Sequence, residues 1–191
     1  MAKIICCNSG LISTHNIKPM DLRDIAIVDS IPRCQFNGTI LTIGCGAGRL
    51  EYYLGRDFEK EFNIMATDLI DQLEYDKRYS SFDVMDIFNP NKVGDVVICS
   101  EVLEHLVDYK TAFKNLIEIT RRRLIITVPY DHSFFSPDHV NFWTEENVGE
   151  FAEMAKPYLV MISKIRTKPR DREMNQWGYL IIVDKLQKYE G

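Results

Sequence analysis

Three glycines at alternate positions, Gly44, Gly46 and Gly48, close the apolar run Ile40-Leu41-Thr42-Ile43 and precede an amphipathic stretch marked by Leu50, Tyr53 and Leu54. That order predicts a buried strand, a tight turn and a helix start. Glycine lets the backbone of such a turn approach a ligand closely, and the exposed N–H groups of the helix start favour an anionic or carboxylate group. A carboxylate follows at a telling distance: Asp68 ends the stretch Phe62–Thr67, 20 residues beyond Gly48. In nucleotide-binding α/β folds an acid at that separation accepts hydrogen bonds from ribose hydroxyls. The dinucleotide turn G-x-G-x-x-G requires glycine at position 49, where this chain has Arg49, which argues against a nicotinamide-dependent oxidoreductase.

The elements that must position these groups alternate along the chain. Phe82-Asp83-Val84-Met85-Asp86-Ile87 is a short strand closing on an acid. Asp95–Cys99 is a buried strand that runs into a helix start at Ser100-Glu101-Val102-Leu103-Glu104-His105-Leu106, and Arg123–Val128 is a strand stopped by Pro129. Helices are expected over Tyr109–Thr120, with Phe113 and Leu116 on one face, and over Glu145–Ala155, with Thr144 as N-cap. Tyr158–Ile165 and Trp177–Val183 read as closing strands. Between Asp68 and the next strand, Tyr75–Ser81 is too polar for a long helix. Residues 1–38 read as an N-terminal helical appendage, with a helical pattern over Met20–Val28 and a break at Pro32; residues 39–191 form the main unit. Alternation of apolar runs with helix-period stretches indicates a parallel sheet covered by helices.

The G-x-G-x-G turn, the strand-end acids and the phrases Ser100–Leu106 and Asp138-His139-Val140-Asn141-Phe142-Trp143-Thr144 together resemble the class I S-adenosylmethionine-dependent methyltransferases. Within them the chain is similar to the ubiquinone-type, methyltransferase type 11-like subgroup, over residues 39–184. The resemblance implies an α/β, Rossmann-like, doubly wound seven-stranded sheet in a single domain, mostly parallel with the last strand antiparallel. It implies S-adenosyl-L-methionine as cofactor and S-adenosyl-L-homocysteine as product. By the same resemblance Gly44, Gly46 and Gly48 cradle the methionine part, Asp68 holds the ribose, and Asp86 faces the adenine amine, with Asp83 as the neighbouring candidate. Leu69 and Ile87 then wall the adenine ring, and Ser100 lies at the open carboxyl edge of the sheet. One position departs from the pattern: relatives commonly carry an acid two residues before the first glycine, and here it is Thr42. A hydroxyl cannot neutralise the cofactor's ammonium, so a catalytically silent cofactor-binding protein stays an alternative.

Methyl transfer from a sulfonium asks for alignment, exclusion of water and, for a hydroxyl or amine acceptor, a base. His105, His132 and His139 follow the fourth and fifth strands, and His105 and His139 are the catalytic candidates. On a helix Glu101, Glu104 and His105 would share a face, and with His139 they could form a divalent-metal site. That pattern resembles metal-binding 2′-O-methyltransferases of small-RNA 3′ ends. Acids in a first helical turn are favoured by the helix dipole anyway, so a metal is not the favoured reading.

Composition narrows the acceptor. The chain has 191 residues, 46% of them hydrophobic, and 23 Lys+Arg against 28 Asp+Glu give a net charge of −5, which disfavours nucleic acid. Two basic runs, Arg121–Arg123 and Lys164–Arg172, would suit a phosphorylated small molecule or sugar nucleotide as well as RNA. Tyr130, Phe134, Phe135, Phe142 and Trp143 are candidates to line an acceptor pocket. No apolar run reaches the roughly 18 residues of a membrane span. Five cysteines without a Cys-x-x-Cys pair, and an N-terminal apolar patch too short for a signal sequence, lead to the expectation of a cytoplasmic enzyme methylating a small-molecule acceptor, at oxygen.

Overall fold

A computed structural model of the protein describes residues 20–32, 38–58, 60–71, 81–130, 136–167 and 176–188. Helix α1 (Leu22–Ser30) starts at Asp21, whose carboxylate accepts the Asp24 N–H at 2.9 Å while the Asp24 side chain reaches back to the Asp21 N–H, a reciprocal cap. There follow β1 (Gly38–Ile43), α2 (Arg49–Phe58), β2 (Phe62–Asp68), β3 (Ser81–Val84) and β4 (Gly94–Ser100). A 3₁₀ turn (Leu103–His105), α3 (Tyr109–Ile119), β5 (Thr120–Pro129), α4 (Glu150–Met154), β6 (Tyr158–Arg166) and β7 (Trp177–Lys188) complete the chain. The seven strands lie in the order β3-β2-β1-β4-β5-β7-β6. All pairs among the first five are parallel, and β7 inserts antiparallel between β5 and β6. This is an α/β, doubly wound seven-stranded sheet, mostly parallel with its last strand antiparallel. The chain's path reverses between β1 and β4, and ligands bind such sheets at the carboxyl ends of the strands flanking that reversal.

Strand periodicity sorts the core onto the two faces of the sheet. Ile40, Val96 and Ile98 face Ile27 and Val28 of α1, Ile31 just after it, and Leu54 and Phe58 of α2. Leu41, Ile43, Val97 and Cys99 face Ala112, Phe113 and Leu116 of α3 and Phe151 of α4. Thr42 and Ser100 share the parity of the first set, so both point to the side covered by α1 and α2. Because Asp21 also pairs with Arg49 at 2.9 Å, Asp21→Ala is expected to cost about 1 kcal/mol, read as a lowered midpoint in denaturant unfolding.

Two expected helices are corrected. The segment after β4 is not an α-helix: Glu101 sits at φ 56° and only a 3₁₀ turn follows. The carbonyls an α-helix would use internally are taken from outside. The Val140 N–H donates to the Glu104 carbonyl at 2.8 Å, and the Asn141 amide donates to those of Leu103 and Leu106 at 3.0 and 2.7 Å. The helix expected over Glu145–Ala155 is confined to α4. Thr144 does accept the Glu146 N–H at 3.2 Å, but Asn147 accepts the Thr144 N–H at 2.7 Å and donates to the Phe142 carbonyl at 3.0 Å, holding 145–149 as turns. Trp143 is core, 1% exposed and packed edge-on against Tyr109. His132, Phe134, Phe135, the polar stretch 75–80, Lys168, Arg170, Arg172 and Cys6, Cys7 and Cys34 lie outside the described residues.

Candidate functional site

The turn between β1 and α2 is built by its glycines and docked by β2. Gly44, Gly46 and Gly48 have φ of 71°, 54° and 84°, a region that L side chains enter at a cost. At Gly44 a Cβ would also lie 2.4 Å from Val102 Cγ2, whereas at Gly46 it would meet nothing within 4 Å, leaving that backbone open to a ligand. The N–H groups of Gly44 and Cys45 both donate to the Thr67 carbonyl, at 2.9 and 3.0 Å. Asp68 then grips the turn's tip: its Oδ2 accepts the Gly46 N–H and its Oδ1 the Leu69 N–H, each at 2.7 Å. The acid 20 residues beyond the turn is thus in contact with the turn itself.

Beside the turn lies a cavity of about 360 Å³, between the carboxyl ends of β1 and β4 and under α1. Its wall includes Gly44, Thr42, Glu51, Arg23, Arg49 and Ser100. Ser100 Oγ and Thr127 Oγ1 are 2.8 Å apart, which fixes the Ser100 hydroxyl on the cavity side of β4. Thr42 and Glu51 are 2% and 1% exposed, and neither Thr42 Oγ1 nor Glu51 Oε2 has a hydrogen-bond partner among the described residues. Burial drives the Glu51 carboxyl up to about 7, against the nearby Thr42 hydroxyl and a backbone N–H. Burial, followed by the charges of Glu51 and Asp68, pushes the Cys45 thiol up to about 12, so it is no nucleophile.

Helix α1 is latched across this cavity by ion pairs. Arg49 reaches Asp21 and Asp24, both at 2.9 Å, and Arg23 reaches Glu101 at 3.2 Å. For Asp21 burial works upward, but Arg23, the Asp24 N–H and Arg49 outweigh it and hold the carboxyl low; Asp24, more buried and facing Asp21, is raised. Sequence reasoning missed Arg23, Asp24, Arg49 and Glu51 as cavity residues. A signal existed for Glu51: with Leu54 and Phe58 it occupies helix positions i, i+3 and i+7, so an acid stands on the face that α2 buries.

The remaining candidates are spread along the sheet's carboxyl edge. Asp86 is exposed and its Oδ1 accepts the Phe88 N–H at 2.9 Å. Leu69 is 60% exposed beside Asp68, free to cover a flat ligand, whereas Ile87 is buried in the core cluster with Leu41 and Phe113. Beyond β4, Glu104, His105 and His139 offer ligand atoms within 4.8 Å of one another, and the two imidazole rings meet edge-on at 4.8 Å between centroids. His105 Nδ1 lies 3.0 Å from Asp138 Oδ2. Glu104 is 1% exposed, and burial, then the neighbouring Glu101 charge, raises its carboxyl to about 9. Burial, then the adjacent His105, lowers the His139 imidazole, which keeps it neutral. Glu101 does not complete the group on a shared helix face; it turns toward Arg23. Of the basic runs, Arg123 is held by Asp184 at 2.5 Å and Lys164 by Glu145 at 2.6 Å.

Comparison with known families decides the class. Residues 22–189 match the family described as a methyltransferase domain. The chain belongs to that methyltransferase family. No curated protein matches it by sequence. Among solved structures the methyltransferase is similar to Haemonchus contortus phosphoethanolamine N-methyltransferase 2 in complex with S-adenosyl-L-methionine, at 14% identity and TM-score 0.67, over 90% of this chain and 55% of that one. It is also similar to magnesium protoporphyrin IX methyltransferase from Synechocystis with bound S-adenosylhomocysteine, at 15% identity and TM-score 0.62, over 85% of this chain and 80% of that one. A third neighbour is the small RNA methyltransferase HEN1, at 18% identity and TM-score 0.65, over 87% of this chain and 25% of that one. At these identities the likeness is one of fold. The chain spans little more than half of the first of these proteins. Among the described residues, no helix is long and apolar enough to cross a membrane.

Proposed function

We propose that this methyltransferase binds S-adenosyl-L-methionine at the glycine turn and transfers its methyl group to the oxygen of a small-molecule acceptor. The observation that carries the reading is the cavity at the sheet's reversal point, with an open glycine backbone and two buried polar atoms that lack partners. Those features fit a ligand with a charged amino-acid end. When bound, the cofactor supplies an electrophilic methyl on a sulfonium. Gly44–Gly48 hold its amino-acid part, Asp68 accepts the ribose hydroxyls from beside Gly46, Leu69 covers the base and Asp86 meets the exocyclic amine. Ser100 lines the side toward the acceptor.

His139 is the proton acceptor in this reading, neutral and only 9% exposed, and His105, oriented by Asp138, positions it. His139→Gln is expected to lower kcat about a hundredfold with little change in cofactor affinity, measured by steady-state kinetics and titration. A small acceptor is supported by Arg123 and Lys164, whose charges are spent on Asp184 and Glu145 rather than offered to a phosphate backbone. A second reading rests on the convergence of Glu104, His105 and His139: a divalent ion held there would make a metal-assisted enzyme acting on an RNA 3′ end.

Calorimetric titration with S-adenosyl-L-methionine and S-adenosyl-L-homocysteine, in EDTA and again with Mg²⁺ or Mn²⁺, tests these readings, followed by a product assay on hydroxylated small molecules and short RNA. Micromolar binding in EDTA with turnover of a small hydroxyl acceptor is the expected result. Turnover only with metal and RNA would replace it by the second reading. Binding without turnover of any acceptor would leave a silent binding protein, and absence of binding would remove the cofactor assignment.

A further inference from the structure

We infer that Glu51, on the first turn of α2, is the carboxylate that receives the ligand's α-ammonium group, taking over the duty that Thr42 on the facing strand cannot perform. This rests on the cofactor reading above. The argument starts from Glu51 itself. A carboxylate that is 1% exposed, has an oxygen with no hydrogen-bond partner and lines a ligand-sized cavity needs a donor to offset its desolvation.

The local cations do not supply that donor. Arg49 pairs with Asp21 and Asp24, and Arg23 pairs with Glu101 through a terminal nitrogen while its Nε has no hydrogen-bond partner among the described residues. Two groups whose charge acts on Glu51 are themselves acidic, Asp24 from α1 and Asp68 from β2, and both favour a cation beside it. Thr42 stands in the same wall with its hydroxyl beside Glu51, whose carboxyl it lowers, and its oxygen can accept a second ammonium hydrogen. A protonated primary amine has three donors, and Glu51 and Thr42 offer acceptors from the helix and the strand on either side of the glycine turn.

The test compares two ligands that differ at the amino-acid end. S-adenosyl-L-homocysteine carries the ammonium; 5′-methylthioadenosine keeps the nucleoside and thioether and lacks it. Both are titrated into the wild-type chain, Glu51→Gln and the double variant Thr42→Asp/Glu51→Gln. Glu51→Gln is expected to bind S-adenosyl-L-homocysteine about tenfold to a hundredfold more weakly, the loss typical of one charge-assisted hydrogen bond, with methylthioadenosine unchanged. The double variant restores most of the loss by returning the acid to the strand. Equal loss for both ligands would make Glu51 a structural residue and overturn the inference. Unchanged affinity for both would overturn it as well, while leaving the cofactor site standing. A wild-type chain that binds neither ligand would overturn the cofactor reading and this inference with it.

Discussion

Asp68→Ala is expected to weaken S-adenosyl-L-homocysteine binding by about 10²–10⁴-fold, the range for removing two charge-assisted hydrogen bonds at about 1.5–3 kcal/mol each. Two effects combine. The carboxylate is the acceptor proposed for the ribose hydroxyls, and it also fixes the turn, because its two oxygens take the N–H groups of Gly46 and Leu69 at 2.7 Å. The alanine variant therefore loses a ligand contact and frees the tip of the glycine turn. Asp68→Asn separates the two: its carbonyl oxygen can still accept one N–H, while the amide presents donors where ribose also presents donors. Asn is expected to restore thermal stability and to leave affinity low. Calorimetric titration and melting of the three proteins check this, and alanine binding within twofold of wild type would remove Asp68 from the site.

Glu51→Gln is expected to stabilise the ligand-free protein by about 3 kcal/mol above pH 7, and to make little difference near pH 4.5. Burial raises this carboxyl from 4.5 to about 7, helped by Asp24 and Asp68 and opposed by the Thr42 hydroxyl and a backbone N–H. The folded chain thus holds the proton more tightly than the unfolded chain. Stability from this group is whole below 4.5, falls as pH rises from 4.5 to 7, and is constant beyond. Glutamine does not titrate, so the gap between variant and wild type opens across that window. Urea unfolding at a series of pH values measures it; a gap that stays flat with pH would mean that folding does not shift this carboxyl. A residue that lowers stability at neutral pH and lines a cavity fits a binding role, where stability is commonly exchanged for function.

The turn, the spacing to Asp68 and the alternation of elements were legible in the sequence because they are local. Glycine, an apolar run of strand length and an acid at a fixed offset each act within a few residues, and β2 spans the residues read from it. The helix expected after β4 failed for a reason no local pattern carries: its carbonyls are claimed by Val140 and Asn141, 35 to 38 residues away along the chain for the Asn141 contacts. The one over 145–149 failed because the Asn147 side chain takes the Thr144 N–H and the Thr144 hydroxyl takes the Glu146 N–H in place of a helical turn.

By itself the sequence determined the alternation of strands and helices and the tight glycine turn, since strand and helix periods and glycine stereochemistry are properties of the chain alone. Only the tertiary structure decided which charges meet at the cavity. Arg49 could have been a solvated helix start, yet α1 folds back to pair it with Asp21 and Asp24. Glu51 could have been an exposed acid, yet its helix face is the one laid on the sheet, opposite the strand position where Thr42 stands. Burial and the company of other charges set what a carboxylate does, and both depend on residues distant in sequence.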